Sequence, residues 1–487
     1  MKTRNNRQLF LHSISTGITS FLLILGSIFL FCSATPKTAQ AAEFTTAETI
    51  NVNTPVTDKT GENIKYYSFT ATEDGYFVVS VRHMDISETG RWYMVLQNKD
   101  RNYTYESKYG ESILSQKWPC IKGKTYYIDL SNSYAAANQT YELLVTQTAE
   151  ANWEREENDT QESATSLSCD VPMSGNAEKD RSDWFKLEAP ATAGYIIFTL
   201  VHPDIAETGS WTMTIQDASG TKYGDYSGSS ITSIKYGFQP GTALYVKITA
   251  NYGSDCQLYT LKAAFTPAET FESEPNNNAT EADNIAYNTD YYGILSSASK
   301  DTDYYQFTNP SAGKVTFRFG PVDISNAGTW QITLVNAAGK EVSLMSTKTT
   351  QDVTALLKKG TYYLKVTNDW DAFDKEYTFR LSRKNFNLSG KTKIAKVRLT
   401  NRHVIKSLKL SKRVKNAEKY LVKVSRKKKM SYASTKEMDN AKTLSIEFYG
   451  YYKTKYYIQV RPYIDDAFGD RWYGKKSNIV KIKTKRL

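Results

Sequence analysis

The sequence predicts an all-β chain: tandem β-sandwiches of jelly-roll type, then one further sandwich of different composition. Three observations predict it. A segment recurs in which Asp85, Gly90 and Trp92, then Asp204, Gly209 and Trp211, then Asp323, Gly328 and Trp330 keep the same order, with the tryptophans 119 residues apart. A fixed period of domain size denotes tandem modules rather than a short-repeat solenoid. Aromatic residues make up 13% of the chain and tyrosine alone 35 of its 487 residues, a composition that favours strands. Apolar residues also alternate in short runs between Gly and Asn turns, the pattern of half-buried strands in a sandwich or jelly roll.

Within each copy, the Trp segment has apolar residues at every second position: Trp92, Met94 and Leu96; Trp211, Met213 and Ile215; Trp330, Ile332 and Leu334. Such a strand buries one face. The Gly ahead of each Trp is expected to permit a backbone conformation that a side chain resists. Other elements repeat in order. Tyr66, Tyr67 and Phe69 correspond to Trp184, Phe185 and Leu187 and to Tyr304, Tyr305 and Phe307. The alternating run Phe77, Val79, Val81 corresponds to Ile196, Phe198, Leu200 and to Val315, Phe317, Phe319. Late strands around Tyr126, Leu244 and Tyr362, and around Tyr141, Tyr259 and Tyr377, complete each copy. The copies span 43–148, 152–266 and 270–383, joined by short linkers at 149–156 and 266–274 that hold the modules close.

Lys2, Arg4 and Arg7 precede an apolar run from Ile18 to Phe31, and Ala39-Gln40-Ala41 supplies small residues for cleavage. This reads as a signal peptide over 1–41, hence a secreted, extracellular protein. The run is shorter than the roughly 20 residues a membrane-spanning helix needs, so no transmembrane span is expected in the mature chain. Cys120 falls at the repeat position of Phe238 and Leu357 and reads as a buried apolar residue. Cys169 and Cys256, both in the second copy, are a disulfide candidate in an exported chain.

The net charge of +11 conceals a division. Residues 383–487 hold 30 Lys and Arg against 7 Asp and Glu, or +23, and the signal segment adds +4, which leaves −16 for 42–382. Net charge explains solubility in the repeats; in the tail it exceeds that need. In the tail module, 391–487, Tyr420, Val422 and Val424 alternate inward, as do Tyr456, Ile458 and Val460. Arg426, Lys427, Lys428 and Lys429 form a hairpin loop. With Lys412, Arg413, Lys475 and Lys476 they are candidates for an anion-binding face.

Glu156-Glu157-Asn158-Asp159-Thr160 and Glu274-Pro275-Asn276-Asn277-Asn278 open the second and third copies. Each is followed by Ala164 or Ala282, by Gly175 or Gly293, and by an Asp ahead of an aromatic pair, Asp183-Trp184-Phe185 or Asp303-Tyr304-Tyr305. This order resembles the bacterial pre-peptidase C-terminal domain, a jelly-roll accessory module of secreted peptidases and surface proteins. The first copy diverges: it lacks the acidic opener and has Lys65 where the others have Asp. The resemblance implies that the opener binds calcium in some members and stiffens the linker. Glu156, Asn158, Asp159 and Asp183, with Glu274, Asn276 and Asp303, offer the oxygen ligands that suit Ca²⁺. Asp and Asn at such openers also serve as plain turn residues. The tail's Trp472-Tyr473-Gly474 close and the spacing of its Tyr420 and Tyr456 strands resemble a fibronectin type III domain, an Ig-like sandwich, although Ser411-Lys412 stand where that family's core Trp is usual.

No motif of catalysis is present in the sequence. His83 and His202 lie two residues ahead of the recurring Asp, the makings of half a triad, but no Ser or Cys recurs as a nucleophile and Pro321 replaces the His in the third copy. A strand-end structural role is expected instead. The tyrosines read as spread along strands rather than gathered into a sugar-binding patch. The functional reading is a non-enzymatic adhesion or scaffold protein. Its partners are anionic cell-wall polymers or glycans at the basic tail, with no nucleic acid expected. The alternative is a carbohydrate- or matrix-protein-binding accessory protein that uses the acidic repeats.

Overall fold

The computed structural model describes residues 46–485 apart from 86, 179, 205–207, 252, 254–256, 300 and 402; the signal segment and Cys256 lie outside the described residues. Among the described residues no helix is long and apolar enough to cross a membrane. The chain parts into two compact units, one ending at Thr148 and the other holding everything from Ala149 onward together with Asp74–Tyr76 and Lys117–Ile121.

The same two sheets recur three times. In the second repeat one sheet runs Thr165–Ser166, Ser182–Glu188, Ala243–Ala250, Trp211–Asp217, Lys222–Gly228, and the other runs Met173–Ala177, Gln257–Pro267, Gly194–Val201, Ser230–Thr232. The third repeat repeats this order with Asp283–Asn284, Asp303–Asn309, Gly360–Trp370, Thr329–Asn336 and Glu341–Thr347 facing Asp290–Ile294, Glu376–Asn385, Gly313–Pro321 and Gln351–Leu357. The first repeat has the equivalent pairings, with Arg91–Gln97 between Thr125–Tyr134 and Thr104–Gly110. Alternation puts the apolar face of each strand inside. Trp92, Met94 and Leu96, and their counterparts in the other two repeats, have no solvent exposure. A buried Trp of this kind is worth about 3–5 kcal/mol against Ala.

The glycine ahead of each Trp is there for a different reason from the one expected. Gly90 and Gly328 do not adopt positive φ. What they lack is room: a Cβ on Gly90 would stand 2.4 Å from the Ala136 Cα, and one on Gly328 would stand 2.0 Å from the Asp371 carbonyl oxygen. The neighbouring histidines act as braces. His83 Nε2 and His202 Nε2 each lie 2.9 Å from the carbonyl oxygen of the recurring glycine, Gly90 and Gly209. Their rings pack 4.2 and 4.0 Å from Trp92 and Trp211. Asp85 and Asp323 turn away to accept from the backbone N–H groups of Ser87 and Ser325, both at 2.9 Å.

The stretches 149–156 and 266–274 do not act as linkers. Trp153, Glu154, Phe271 and Glu272 are buried, and Trp153 and Phe271 bridge in parallel to Ser174 and Tyr292. The seam between the second and third repeats is continuous: Glu274 N–H donates to Gly237 O at 2.9 Å, and Lys235 pairs with Glu376 at 2.8 Å.

The tail is a sandwich of Ile394–Thr400, Val404–Leu410 and Thr443–Tyr449 against Ser434–Asp439, Lys419–Ser425, Lys455–Asp465 and Arg471–Tyr473, with Val480–Lys483 paired to Lys455–Asp465. Tyr420, Val422, Val424, Tyr456, Ile458 and Val460 form its core, as their alternation requires. Its loop after Asp465 docks on the third repeat. Phe468 joins that repeat's core and stacks 5.9 Å from Tyr362, while Lys358 pairs with Asp470 at 2.6 Å.

Gly328→Ala is expected to destabilise the chain by about 1–3 kcal/mol through overpacking. Gly360→Ala, whose added Cβ would find its nearest neighbour at 3.6 Å, is expected to cost under about 1 kcal/mol. Denaturant unfolding of both variants checks this.

Candidate metal centres and a candidate anion-binding face

Gly175 and Gly293 clear the space for two clusters of acids. A Cβ on Gly175 would meet the Tyr259 hydroxyl at 2.5 Å and Glu154 Cδ at 2.7 Å; one on Gly293 would meet Glu272 Oε2 and the Tyr377 hydroxyl, both at 2.4 Å. Into these spaces the chain turns Glu154, Glu156 and Asp183, and Glu272, Glu274 and Asp303. In each triad one carboxylate oxygen per residue lies within 4.8 Å of the others, and all six residues are buried.

In the second repeat Tyr259 Oη lies 2.6 Å from Glu154 Oε2 and 2.7 Å from Asp183 Oδ2. One phenolic hydrogen serves one of these oxygens, so the other contact calls for a proton on a carboxyl. Asn176 N–H donates to Glu154 Oε1 at 2.7 Å. Asn158 Nδ2 donates to Thr165 Oγ1 at 3.1 Å, which fixes the direction of its Oδ1. That oxygen and Asn176 Oδ1 are buried acceptors with no hydrogen-bond donor. Burial, and after it the charge of Glu156, pushes the Glu154 carboxyl well above its ordinary range. Burial, then Glu154 and Glu156, does the same to Asp183.

The third repeat repeats the arrangement with more acids. Tyr305 Oη donates to Glu272 Oε2 at 2.8 Å, Tyr377 Oη donates to Asp303 Oδ2, and the two hydroxyls lie 2.6 Å apart. Glu274 Oε1, Asn276 Oδ1 and Asp303 Oδ1 are buried without a donor. A small space of about 10 Å³ lies beside Glu274, lined also by Glu272 and Asp301 together with Tyr223, Tyr236 and Lys235. It is the size of one small ion or water. Burial, and then Asp301, raises Glu272 to about 8; burial raises Asp283 to about 6.

Of the residues singled out from sequence, Glu156, Asp183, Glu274 and Asp303 come together, with Asn158 and Asn276 buried beside them. Asp159 does not belong to the triad and is only half-buried. Glu154 and Glu272 were missed because they fall in stretches taken for linker. The signal was present as Glu154-x-Glu156-x-Asn158 and Glu272-x-Glu274-x-Asn276: in extended backbone, residues two apart share a face. Oxygen-only, acid-rich and buried, with acceptors lacking donors, both triads are suited to a hard divalent cation.

The first repeat handles the same place differently. Asp58 pairs in register with Tyr141, as Gly175 does with Tyr259 and Gly293 with Tyr377. Lys65, at the position of Asp183 and Asp303, reaches Asp58 Oδ2 at 2.8 Å. Tyr67 Oη donates to the same oxygen at 2.7 Å. Burial opposes ionisation of Asp58, yet the bonds from Lys65 and Tyr67 hold it below its ordinary value. Here the cation is a side chain.

The basic residues of the tail divide. Lys429 and Lys476 meet Lys423 and Arg461 in a cleft of about 330 Å³ on the outer face of the sheet, beside Tyr473, and no carboxylate lines it. Arg461 stacks with its Cζ 4.4 Å from the Tyr473 ring centre. Arg426 and Lys427 line a separate cleft. Lys412 and Arg413 lie in the turn after Val404–Leu410, where Arg413 donates to Asn440 O, and Lys428 and Lys475 are exposed. Cys120 is buried, as its repeat position implies, and Cys169 is half-buried, its suggested partner Cys256 lying outside the described residues.

Residues 307–377, within the third repeat, match the family described as Secretion system C-terminal sorting domain. The match indicates a secreted protein. No curated protein matches the chain. Among solved structures it is similar to the pre-peptidase C-terminal domain of a collagenase from Bacillus anthracis, at 22% identity, covering 20% of this chain and 94% of that one with a TM-score of 0.18. A two-domain fibronectin type III segment from chicken tenascin matches at 14% identity over 38% of this chain and 98% of that one, TM-score 0.15. A triple jelly-roll protein of an archaeal virus matches at 9% identity over 65% and 81%, TM-score 0.17. Pre-peptidase C-terminal and fibronectin type III domains, the two resemblances drawn from sequence, are thus both among the structural neighbours. The fold itself is established by the chain's own paired sheets.

The acid triads imply a pH dependence. A carboxyl raised in the folded state above its unfolded value stabilises the fold at low pH, and that stability is lost as pH rises through the folded value. With divalent ions chelated, the midpoint of thermal unfolding is expected to fall between pH 4.5 and about 8, the window set by Glu272. Asp303→Asn should flatten the decline. Calorimetry in chelator across that range measures it.

Proposed function

We propose that the chain is an exported, non-catalytic surface protein of adhesion or scaffold type, whose basic tail module attaches it to anionic polymers of the cell envelope. One observation carries this reading. Lys423, Lys429, Arg461 and Lys476 line one cleft with no acid in it, and none of the four forms an ion pair among the described residues. Cations left unpaired side by side repel one another, and a polyanion relieves that repulsion. The net charge of +23 over residues 383–487 extends the field around the cleft. The match to a sorting domain supports the extracellular setting in which such polymers are found.

The second and third repeats, in this reading, hold Ca²⁺ in the triads Glu154, Glu156, Asp183 and Glu272, Glu274, Asp303. The orphaned acceptors Asn158 Oδ1, Asn276 Oδ1 and Asp303 Oδ1 support it. An ion in the third repeat would lie at the seam with the second repeat and fasten those two modules together. The first repeat, with Lys65 in place, takes no ion there.

Two measurements check these statements. The full chain is expected to bind cell-wall polymer at low salt and to release it at moderate salt, since exposed charges are screened over about 8–10 Å; Lys429→Glu with Lys476→Glu should weaken binding roughly tenfold or more. Retention at molar salt counts against the electrostatic attachment. For calcium, titration calorimetry of the full chain is expected to show two ions per chain and a raised unfolding midpoint. Asp183→Asn with Asp303→Asn should abolish both effects, and an absence of heat at millimolar Ca²⁺ removes the calcium reading.

A further inference from the structure

A second cleft of the tail module is built differently from the lysine cleft. It has a volume of about 430 Å³, its walls include Arg426, Lys427, Tyr432, Tyr449 and Tyr451, and no carboxylate lines it. The tyrosines here are gathered, contrary to the expectation that they are spread along strands. Tyr432 is 92% exposed, Tyr449 68% and Tyr451 71%. Large aromatic surface is normally removed from water, so three rings left out at one place ask for a reason.

The backbone adds a second observation. The turn between Lys419–Ser425 and Ser434–Asp439 is pinned by Ser425 Oγ, which accepts from Lys427 N–H at 3.1 Å and donates to Ser431 O at 2.7 Å. Within it, Met430 and Tyr432 have φ of 59° and 52°. A bulky residue in the left-handed region is strained. Nothing in packing offsets that strain, because the Tyr432 ring it presents is in solvent. Backbone strain of this kind clusters at ligand clamps and switch regions. Two of the three rings also have a cation beside them: Lys427 Nζ lies 4.8 Å from the Tyr432 centre and Arg426 Cζ 5.7 Å from that of Tyr451, whereas Tyr449 has the Glu447 carboxylate as its charged neighbour.

We infer that this cleft binds an anionic glycan, a chain of pyranose rings that carry carboxylates. The inference rests on reading the tail as the anion-binding module and names the chemical class it takes. The apolar face of a sugar ring stacks on tyrosine, and its carboxylate is attached directly to that ring. A cation within about 6 Å of the tyrosine centre meets such a charge without reaching further. A nucleotide carries its phosphate a whole sugar away from the stacking base. A polyphosphate has no face to stack at all.

The test uses the full chain and three probes in titration calorimetry at one salt concentration: oligogalacturonate, inorganic polyphosphate of equal charge and single-stranded DNA. Oligogalacturonate is expected to bind most tightly. Tyr432→Ala with Tyr451→Ala should weaken it at least tenfold and leave polyphosphate within twofold. Tyr449→Ala alone should weaken oligogalacturonate by a smaller factor. Both changes lie at exposed rings, and an unaltered unfolding midpoint verifies the fold. Unchanged oligogalacturonate binding in the double variant overturns the inference while leaving electrostatic attachment standing. Equal loss of galacturonate and polyphosphate also overturns it. DNA as the tightest ligand, lost in the variant, replaces the glycan by nucleic acid. Failure of the unaltered chain to bind any polyanion overturns both the inference and the reading of the tail beneath it.

Discussion

Three carboxyl groups buried together, twice over, are the constraint around which the repeats are arranged. An isolated carboxylate in a dry interior is costly, and three within 4.8 Å of one another add mutual repulsion. Neutralisation is therefore obligatory, and only a few agents can supply it. Protons can, and the raised carboxyls show how strongly the site asks for them. A divalent cation can, with all ligands already facing inward. A tethered amine can, and the first repeat uses one in Lys65. In the first repeat the place holds a single, partly exposed carboxylate, Asp58, and Lys65 is its counterion.

The alternatives are mutually exclusive for steric reasons. Where glycine stands at 175 and 293, the space is taken by acids from the opener and by a tyrosine hydroxyl. Where Asp58 stands, its own side chain fills that place and needs only one partner, Lys65 at 2.8 Å. In the first repeat the absence of the acidic opener and the presence of Lys65 therefore go together. The opener is also the strand-like entry to the second and third repeats: Trp153 and Phe271 bridge to the sheet from inside the stretches that join the modules. Whatever neutralises the acids also fixes the path of the chain into the module.

Much of the fold was legible because the hydrophobic period is local. Trp92, Trp211 and Trp330 announced a core strand through alternation alone, and all three are buried. The tail's Tyr420 and Tyr456 strands were legible in the same way. Two things were not. Glu154 and Glu272 looked like linker because charged residues outside a periodic run are ordinarily solvated, and only the closure of the sheets shows them buried. The role of Gly90 and Gly328 was misread for a similar reason: a glycine's φ is a local property, whereas the approach of Ala136 or Asp371 comes from more than forty residues away in sequence. The cluster of Tyr432, Tyr449 and Tyr451 joins two hairpins, and no spacing in sequence reveals it.

The tail's few acids explain why its cations are left exposed. Residues 383–487 contain 7 Asp and Glu, and several are already engaged. Asp466 and Asp470 take Lys358 of the third repeat, at 3.6 and 2.6 Å, and Asp465 takes Arg471 at 3.1 Å with Glu437 on the same guanidinium. At the seam the overall charges are inverted: the acidic repeat presents lysine, and the basic module presents aspartate. Phe468 follows those aspartates into the core of the third repeat, so the docked loop is held by packing as well as charge. Four of the seven carboxylates are thus engaged, two in docking and two on Arg471, and none of them pairs with Lys423, Lys429, Arg461 or Lys476. Docking accounts for two of those carboxylates only; the excess of 30 Lys and Arg over 7 Asp and Glu across 383–487 is what leaves the module's face positive.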